Sequence, residues 1–218
     1  MHKNNMNLSK KILSWYDNNK RTLPWRISKN SKKNQYYRIL SEFMLQQTQV
    51  KTVIPYFDNF VKKVPDIETL SKFSEKKILK LWEGLGYYRR VKNLHKTSKI
   101  LINKYDGKIP RSFAQLKELP GIGDYTASIL LASIYNQPYI AFDGNVKRVF
   151  SRLFNKNIEE KINIFKTDRN DDFAEALMEY GALICLPKDP KCSVCTIKKI
   201  CKYNKSKSKI KFKRKTKM

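Results

Sequence analysis

Acid is what this 218-residue sequence has least of beside its basic complement: 19 Asp and Glu stand against 46 Lys and Arg, a formal net charge of +27. So lopsided a balance makes a polyanion the leading partner. There is no long apolar run and no lipidation motif, so no membrane partner is expected and nucleic acid is favoured over a bilayer. The amino terminus, MHKNNMNLSK, lacks the apolar core of a secretory signal, which points to a cytoplasmic protein with reduced thiols. Strand alternation is missing before residue 185, as are internal repeats and long linkers, and the fold class expected is all-α. Disorder is excluded by a 41% hydrophobic content, which suffices for one large domain or two small interleaved ones. Codon bias towards lysine and asparagine competes as the source of the charge. Against it, Arg38, Arg89, Arg90, Arg148 and Arg152 all lie beside the motifs described next.

What is present centres on residues 119–149, LPGIGDYTASILLASIYNQPYIAFDGNVKRV. Pro120-Gly121-Ile122-Gly123 is a turn whose glycines accept backbone angles closed to other residues, and it leads into a helical pattern beginning near Tyr125. Backbone amides at a helix start have no intrahelical partners and suit a phosphate oxygen. Ile122 is expected to pack inward, leaving only backbone outside. Further on, Asp143 stands in Phe142-Asp143-Gly144-Asn145-Val146-Lys147-Arg148. This order resembles the helix-hairpin-helix and the following glycine-rich, aspartate-bearing loop of the DNA glycosylases named for them. An ordinary helical hairpin with a capping aspartate is the competing reading.

Elsewhere the sequence reads as helices with polar breaks. Leu8, Ile12, Leu13, Trp15 and Tyr16 mark a short amphipathic helix over 8–18, ended by Leu23-Pro24-Trp25-Arg26. Trp25 and Arg26 offer a stacking plane and a cation to nucleic acid, although a Trp after Pro is more often core. SKNSKKNQ reads as a solvated loop. From Tyr36 to Phe60 the pattern is strongly helical, Leu40, Phe43, Met44, Val50, Val53, Ile54 and Phe57 recurring three and four apart. Glu42 sits off that stripe among Ile39, Leu45, Gln46 and Gln49, and the uncharged phrase Leu45-Gln46-Gln47-Thr48 suits base edges or insertion into a stack. Helices are expected from Pro65 to Phe73, from Ser74 to Trp82, from Val91 to Tyr105 and from Phe113 to Leu119. Gly84-Leu85-Gly86-Tyr87-Tyr88-Arg89-Arg90 breaks the series, with aromatics for stacking and arginines for phosphate contacts. Residues 155–172 are weakly patterned, before Phe173, Leu177, Tyr180 and Ile184 mark the last helix.

All four cysteines, Cys185, Cys192, Cys195 and Cys201, fall within seventeen residues, with six, two and five positions between them. Reduced thiols at that density form a soft site for zinc or an iron–sulfur cluster. On spacing alone zinc is the commoner occupant, and metal-free structural cysteines are the third choice.

Together with SEFMLQQTQV, LWEGLGYYRRVKNLH, LPGIGDYTA and DGNVKRV, this cysteine set resembles the adenine DNA glycosylase (MutY) branch of the helix-hairpin-helix, endonuclease III superfamily, over roughly Leu23 to Cys201. The resemblance implies a six-helix barrel over 23–137 holding the hairpin, a second domain from 1–22 and 138–201 holding a 4Fe-4S cluster on the four cysteines, and DNA in the cleft between them. Residues 202–218 are expected to be a basic, disordered tail. By the same resemblance Glu42 is the general acid at adenine, and Asp143 the carboxylate that stabilises the sugar, supported by Tyr125 and Asn145. Chemistry agrees, since adenine leaves poorly unless protonated as an oxocarbenium-like sugar forms. Ile39 and Leu45 favour a protonated Glu42, while the Gly144 and Asn145 amides favour a charged Asp143. Gln47 and Tyr87 match residues wedged into the duplex where the base is flipped out, with Leu45, Gln46 and Thr48 beside them and Gly121 and Gly123 on phosphate. Tyr125 replaces the lysine of bifunctional relatives, implying a monofunctional enzyme.

The expected partner is double-stranded DNA with a mismatched or oxidised base, bound by a monomer near the nucleoid. Two departures from the family pattern are a short 155–172 segment and Ala174-Glu175 in place of an asparagine-glutamine pair, where a DNA contact is expected to be lost. The sequence stops at Met218, where relatives continue into a domain that reads 8-oxoguanine. A mismatch thymine glycosylase or an endonuclease III-like glycosylase is the alternative enzyme, disfavoured by the MLQQT phrase with Glu42. An inactive DNA-binding module is the alternative class, disfavoured because it has no use for both carboxylates.

Overall fold

A computed structural model describes residues 2–27, 32–155 and 167–206, and every regular element among them is helical. The helices are α1 (His2–Asn19), α2 (Lys32–Leu45), α3 (Val50–Lys63), α4 (Ile67–Lys72), α5 (Glu75–Leu81), α6 (Arg89–Tyr105), α7 (Phe113–Lys117), α8 (Asp124–Tyr135), α9 (Gly144–Phe154) and α10 (Asn170–Leu183). None of the helices is long and apolar enough to cross a membrane among the described residues. The chain divides into two compact units, Thr22–Tyr135 and Met1–Arg21 with Asn136–Met218.

In the first unit α8 is the buried helix. Its residues Thr126 to Ser133 are all enclosed, so it has no polar face, and α2 and α7 pack against it. α2 also meets α3 and α6, burying Ile39, Leu40, Phe43 and Met44 on one side of its length. Local chemistry sets the short helices. Asp66 accepts a hydrogen bond from Thr69 N at 2.7 Å and starts α4, and Ser74 does the same for Lys77 N at α5. Two expectations are corrected here. α2 begins at Lys32, so the end of SKNSKKNQ is helical, with residues 28–31 outside the described ones. The continuous pattern over Tyr36 to Phe60 is two helices, broken at 46–49, because Gln47 adopts a left-handed φ of 59° that no helix continues through.

In the second unit the apolar stripe of α1, Leu8, Ile12, Leu13, Trp15 and Tyr16, closes on Val146, Phe150 and Leu153 of α9 and on Phe173, Leu177 and Tyr180 of α10. Each such side chain contributes about 1.5–3 kcal/mol on burial. Trp15 meets Tyr180 edge to face at 4.8 Å. Arg21 fixes the end of this contact, with Nε and Nη2 donating to the buried Glu179 carboxylate at 2.8–3.1 Å. Glu175 is likewise buried and accepts the Tyr16 hydroxyl at 2.6 Å, so it fastens α10 to α1; Ala174 and Glu175 offer no surface for the DNA contact expected to be lost there. Residues 202–206 are helical, Lys205 N donating to Cys201 O at 3.2 Å, which corrects the expectation of disorder for that part of the tail. Residues 207–218, and most of the weakly patterned 155–172 segment, lie outside the described residues.

Candidate active site

Within the unit Thr22–Tyr135 the hairpin is α7, a tight turn and α8. Ile122 N donates to Leu119 O at 3.1 Å, which folds the turn and buries the isoleucine between two exposed glycines. Gly121 has φ +81°, and a Cβ there would stand 2.8 Å from Phe43 and 2.9 Å from Asn93, so both conformation and space require glycine. At Gly123 a Cβ would meet nothing within 4 Å, and its carbonyl accepts Ala127 N at 2.9 Å to start α8. Thr97 Oγ1 and Gln46 Nε2 hold the turn's outer carbonyls, at 3.0 Å from Pro120 O and 3.3 Å from Gly121 O. One end of the LQQT phrase is thereby tied to the hairpin. Tyr125 lies half-buried in the first turn of α8, and Glu42 half-buried in the last turn of α2.

The LQQT loop and the Gly84–Arg90 loop are also joined. Each carries one exposed non-glycine residue in the left-handed region, Gln47 at φ 59° and Tyr87 at φ 49°. Leu45 and Thr48 are half-buried beside Gln47, with Thr48 N donating to Leu45 O at 3.2 Å. The link between the loops is Arg90, which was expected on phosphate and is instead 6% exposed and bonded within the protein; Arg89 is the exposed member of the pair. Trp25 is corrected too. It is 3% exposed and packs edge to face on Phe57 at 5.3 Å, so it serves the core and has no face left for a base, while Arg26 beside it is half-buried.

In the other unit Asp143 caps α9. Its Oδ1 accepts Val146 N at 2.7 Å and its Oδ2 accepts Asn145 Nδ2 at 2.9 Å. The donors are therefore one backbone amide and one side chain, and not the two backbone amides of Gly144 and Asn145. Asn145 Oδ1 in turn accepts Arg148 Nη2 at 2.7 Å, and Arg148 donates to Gly181 O and Cys185 O, each at 2.8 Å. A carboxylate, an amide and a guanidinium are linked in series to the chain entering the cysteine loop. Gly181 lets α10 come this close, for a Cβ there would stand 2.7 Å from Asn145 Cβ and 3.0 Å from its carbonyl oxygen.

The four cysteines line one cavity with Val149, Leu153, Tyr180 and Ile197. Arg152 holds its rim, donating to Leu186 O at 2.6 Å and Pro187 O at 2.7 Å and standing 3.5 Å from Cys185 Sγ. Tyr180 donates to Cys195 Sγ at 3.2 Å, and burial with that sulfur alongside pushes its phenol upward. Burial also pushes the Cys201 thiol up, with Cys195 and Cys185 adding to it, as expected where several sulfurs share an enclosed space. Among the described residues no three His, Cys, Asp or Glu side chains converge on a single-ion site. The sulfurs surround a space and do not meet at a point.

Residues 40–167 match the family described as HhH-GPD superfamily base excision DNA repair protein. The chain belongs to that superfamily. Curated relatives include the adenine DNA glycosylases of Buchnera aphidicola subsp. Baizongia pistaciae, 46% identical over 88% of this chain and 56% of the relative, and of Homo sapiens, 35% identical over 88% of this chain and 38% of the relative. The chain thus spans little more than half the length of the former. Among solved structures, a thermostable thymine-DNA glycosylase aligns with a TM-score of 0.83 at 27% identity, covering 94% of this chain and 98% of that one. A non-covalent endonuclease III–DNA complex shares the fold, with a TM-score of 0.76 at 17% identity over 96% of this chain and 99% of that one.

Within the HhH-GPD fold, sequence reasoning missed the inward work of Arg90, which it placed on phosphate, and of Arg148 and Gly181, to which it gave no role. The available signal for Arg90 was its place one residue into α6, on the face that also carries Leu94 and Leu101.

Proposed function

We propose that this chain is a monofunctional base-excision DNA glycosylase that extrudes adenine paired with 8-oxoguanine or guanine and hydrolyses its glycosidic bond. The observation that carries the reading is Asp143, a carboxylate whose two oxygens are oriented by Val146 N and Asn145 Nδ2 at a helix start. Such a group suits the positive charge that develops on a sugar as its base departs. Glu42 is the general acid, giving its proton to the leaving adenine. Tyr125 stands at the hairpin position where a lysine would form a Schiff base, and a phenol cannot do so. Water therefore completes the reaction and leaves an intact abasic site.

The duplex is held at the exposed Gly121 and Gly123 of the turn, whose backbone takes a phosphate, and is opened by Gln47 and Tyr87 with Leu45, Gln46 and Thr48 around them. Arg26 remains a phosphate contact in this reading; Trp25 does not take part. A strongly basic monomer binding mainly to phosphate is consistent with the +27 charge. Adenine as the base rests on the relatives named adenine DNA glycosylase at 35–46% identity.

Cys185, Cys192, Cys195 and Cys201 would hold a 4Fe-4S cluster, with zinc as the alternative. A cluster takes one thiolate at each of four separated irons, which suits sulfurs lining a cavity. Bound there, it would cross-link the end of α10 to the 192–201 loop.

Base release from duplexes carrying A opposite 8-oxoguanine, A opposite G and T opposite G, measured side by side, tests the reading. Adenine should be released from the first two. Release of thymine alone would favour the thymine-DNA glycosylase likeness instead.

A further inference from the structure

Arg90 stands one residue into α6 with its guanidinium enclosed, and six oxygens lie within 3.3 Å of its two terminal nitrogens. Their distribution is informative. Nη1 faces Phe43 O at 3.3 Å, Met44 O at 2.6 Å, Gln46 O at 2.5 Å and Thr48 Oγ1 at 3.0 Å, which all belong to the end of α2 and the loop that follows. Nη2 faces Leu85 O at 3.2 Å and Gly86 O at 3.1 Å, which belong to the loop before α6. One planar group thus serves the first loop with one arm and the second loop with the other.

The carbonyls of Phe43 and Met44 are among those a helix leaves unpaired at its C-terminus, where a cation is also favoured by the dipole. Arg90 satisfies them from outside α2 and so defines where that helix stops. Its partners are neutral oxygens, so the group organises backbone and is not half of an ion pair. Immediately beside the bonded atoms come Gln47 and Tyr87, each with positive φ. Side chains other than glycine keep that conformation only where their surroundings hold it. The guanidinium also lies 5.2 Å from the Tyr87 ring centroid and 5.5 Å from that of Trp82, whose Nε1 donates to Gly86 O at 3.1 Å. Tyr87 is pinned from beneath and still 60% exposed.

We propose that Arg90 is a positioning residue that locks the Gln47 and Tyr87 loops into one rigid element, so that both side chains enter a duplex at a fixed separation. This rests on the reading above that the two residues open DNA around an extruded base. A lysine cannot replace the arginine, because a single ammonium has no second arm with which to reach the other loop.

The test uses the full 218-residue chain and two duplexes, one undamaged and one with 2-aminopurine in place of the adenine opposite 8-oxoguanine. Fluorescence of 2-aminopurine rises when the base leaves the stack. Arg90→Lys should bind the undamaged duplex as wild type does, since phosphate contacts are elsewhere. Its extrusion equilibrium should fall about tenfold, within the range found when contacting groups are uncoupled. Thr48→Val, which removes the Nη1–Oγ1 bond, should show a smaller loss in the same direction, and Thr48→Ser, which keeps the hydroxyl, should extrude as wild type does; this pair carries the test if Arg90→Lys does not fold, and an equal loss in both would assign the effect to contact of Thr48 with DNA and overturn the proposal. A wild-type protein that gives no fluorescence rise overturns the adenine reading and this proposal with it. A normal wild-type rise that Arg90→Lys and Thr48→Val both retain overturns this proposal alone, as does equal loss of binding to the undamaged duplex.

Discussion

Asp143 and Asn145 are joined side chain to side chain, Nδ2 donating to Oδ2 at 2.9 Å, while the other oxygen of the same carboxylate caps α9 through Val146 N. The carboxylate is thus oriented by a helix terminus, a rigid feature, and by an amide that Arg148 holds in its turn.

Asp143→Asn separates the two jobs. Asparagine is as good an N-cap as aspartate, but with its oxygen on Val146 N its amide turns a second donor on Asn145 Nδ2, so the thermal unfolding free energy should fall by about 1–3 kcal/mol and the protein stay folded. The negative charge is gone, and base release should fall by roughly 10²–10³-fold, as when an electrostatic stabiliser is removed. Single-turnover kinetics beside a melting curve check both. Loss of stability with normal turnover would make Asp143 a cap and nothing more.

Gly181→Ala tests the close approach behind Asn145. The added methyl would overlap Asn145, whose neighbouring atoms are backbone, so the first turn of α9 has to move. Overpacking of this kind costs about 1–3 kcal/mol. Displacing Asp143 should cost far more in rate, about 10²-fold for a shift near an ångström. A rate loss no larger than the fraction unfolded would contradict it.

Much of this was legible beforehand because it is local. Helix faces follow from apolar spacing, the hairpin from two glycines around an isoleucine, and the cysteine cavity from clustering. What escaped depends on contacts distant in sequence. The break at 46–49 carries no Gly or Pro, and both flanking segments keep their apolar stripe; Gln47 turns left-handed in company with Arg90, forty-odd positions on. Trp25 is core because Phe57 receives it, and Glu175 is internal because Tyr16 reaches it across to α10. No window of neighbouring residues contains either fact.

His95 gives a pH signature. It is buried on α6, and burial, with Lys99 nearby, lowers its pKa from the ordinary value of 6.5, while Glu75 and backbone hydrogen bonds at Ser71 and Phe73 oppose the shift. Below the ordinary value the unfolded chain then binds more proton at this site than the folded chain does. Stability contributed by neutral His95 is complete above 6.5 and is lost as pH falls towards the lower folded value, with a slope of at most about 1.4 kcal/mol per pH unit. Denaturant unfolding of wild type and His95→Gln between pH 7 and 5 should show a shallower fall in the variant. Parallel curves would contradict the assignment.

If the four cysteines hold a 4Fe-4S cluster, protein purified without oxygen should be brown, with about four irons per chain by the cluster's composition. Cys195→Ser should lose colour and thermal stability together, since the cross-link between α10 and the 192–201 loop is gone. Stoichiometric zinc without iron would establish the alternative.

The most direct measurement of the central claim is single-turnover cleavage of a duplex with A opposite 8-oxoguanine by wild type and by Glu42→Gln, the products being examined before and after alkali. Glutamine keeps the shape and removes the acid. Wild type should release adenine and leave strands that break only after alkali, and the variant should bind equally well yet release adenine at least ~10²–10⁴-fold more slowly. Near-normal turnover by Glu42→Gln, or strand breakage before alkali with a borohydride-trappable adduct, would contradict the account.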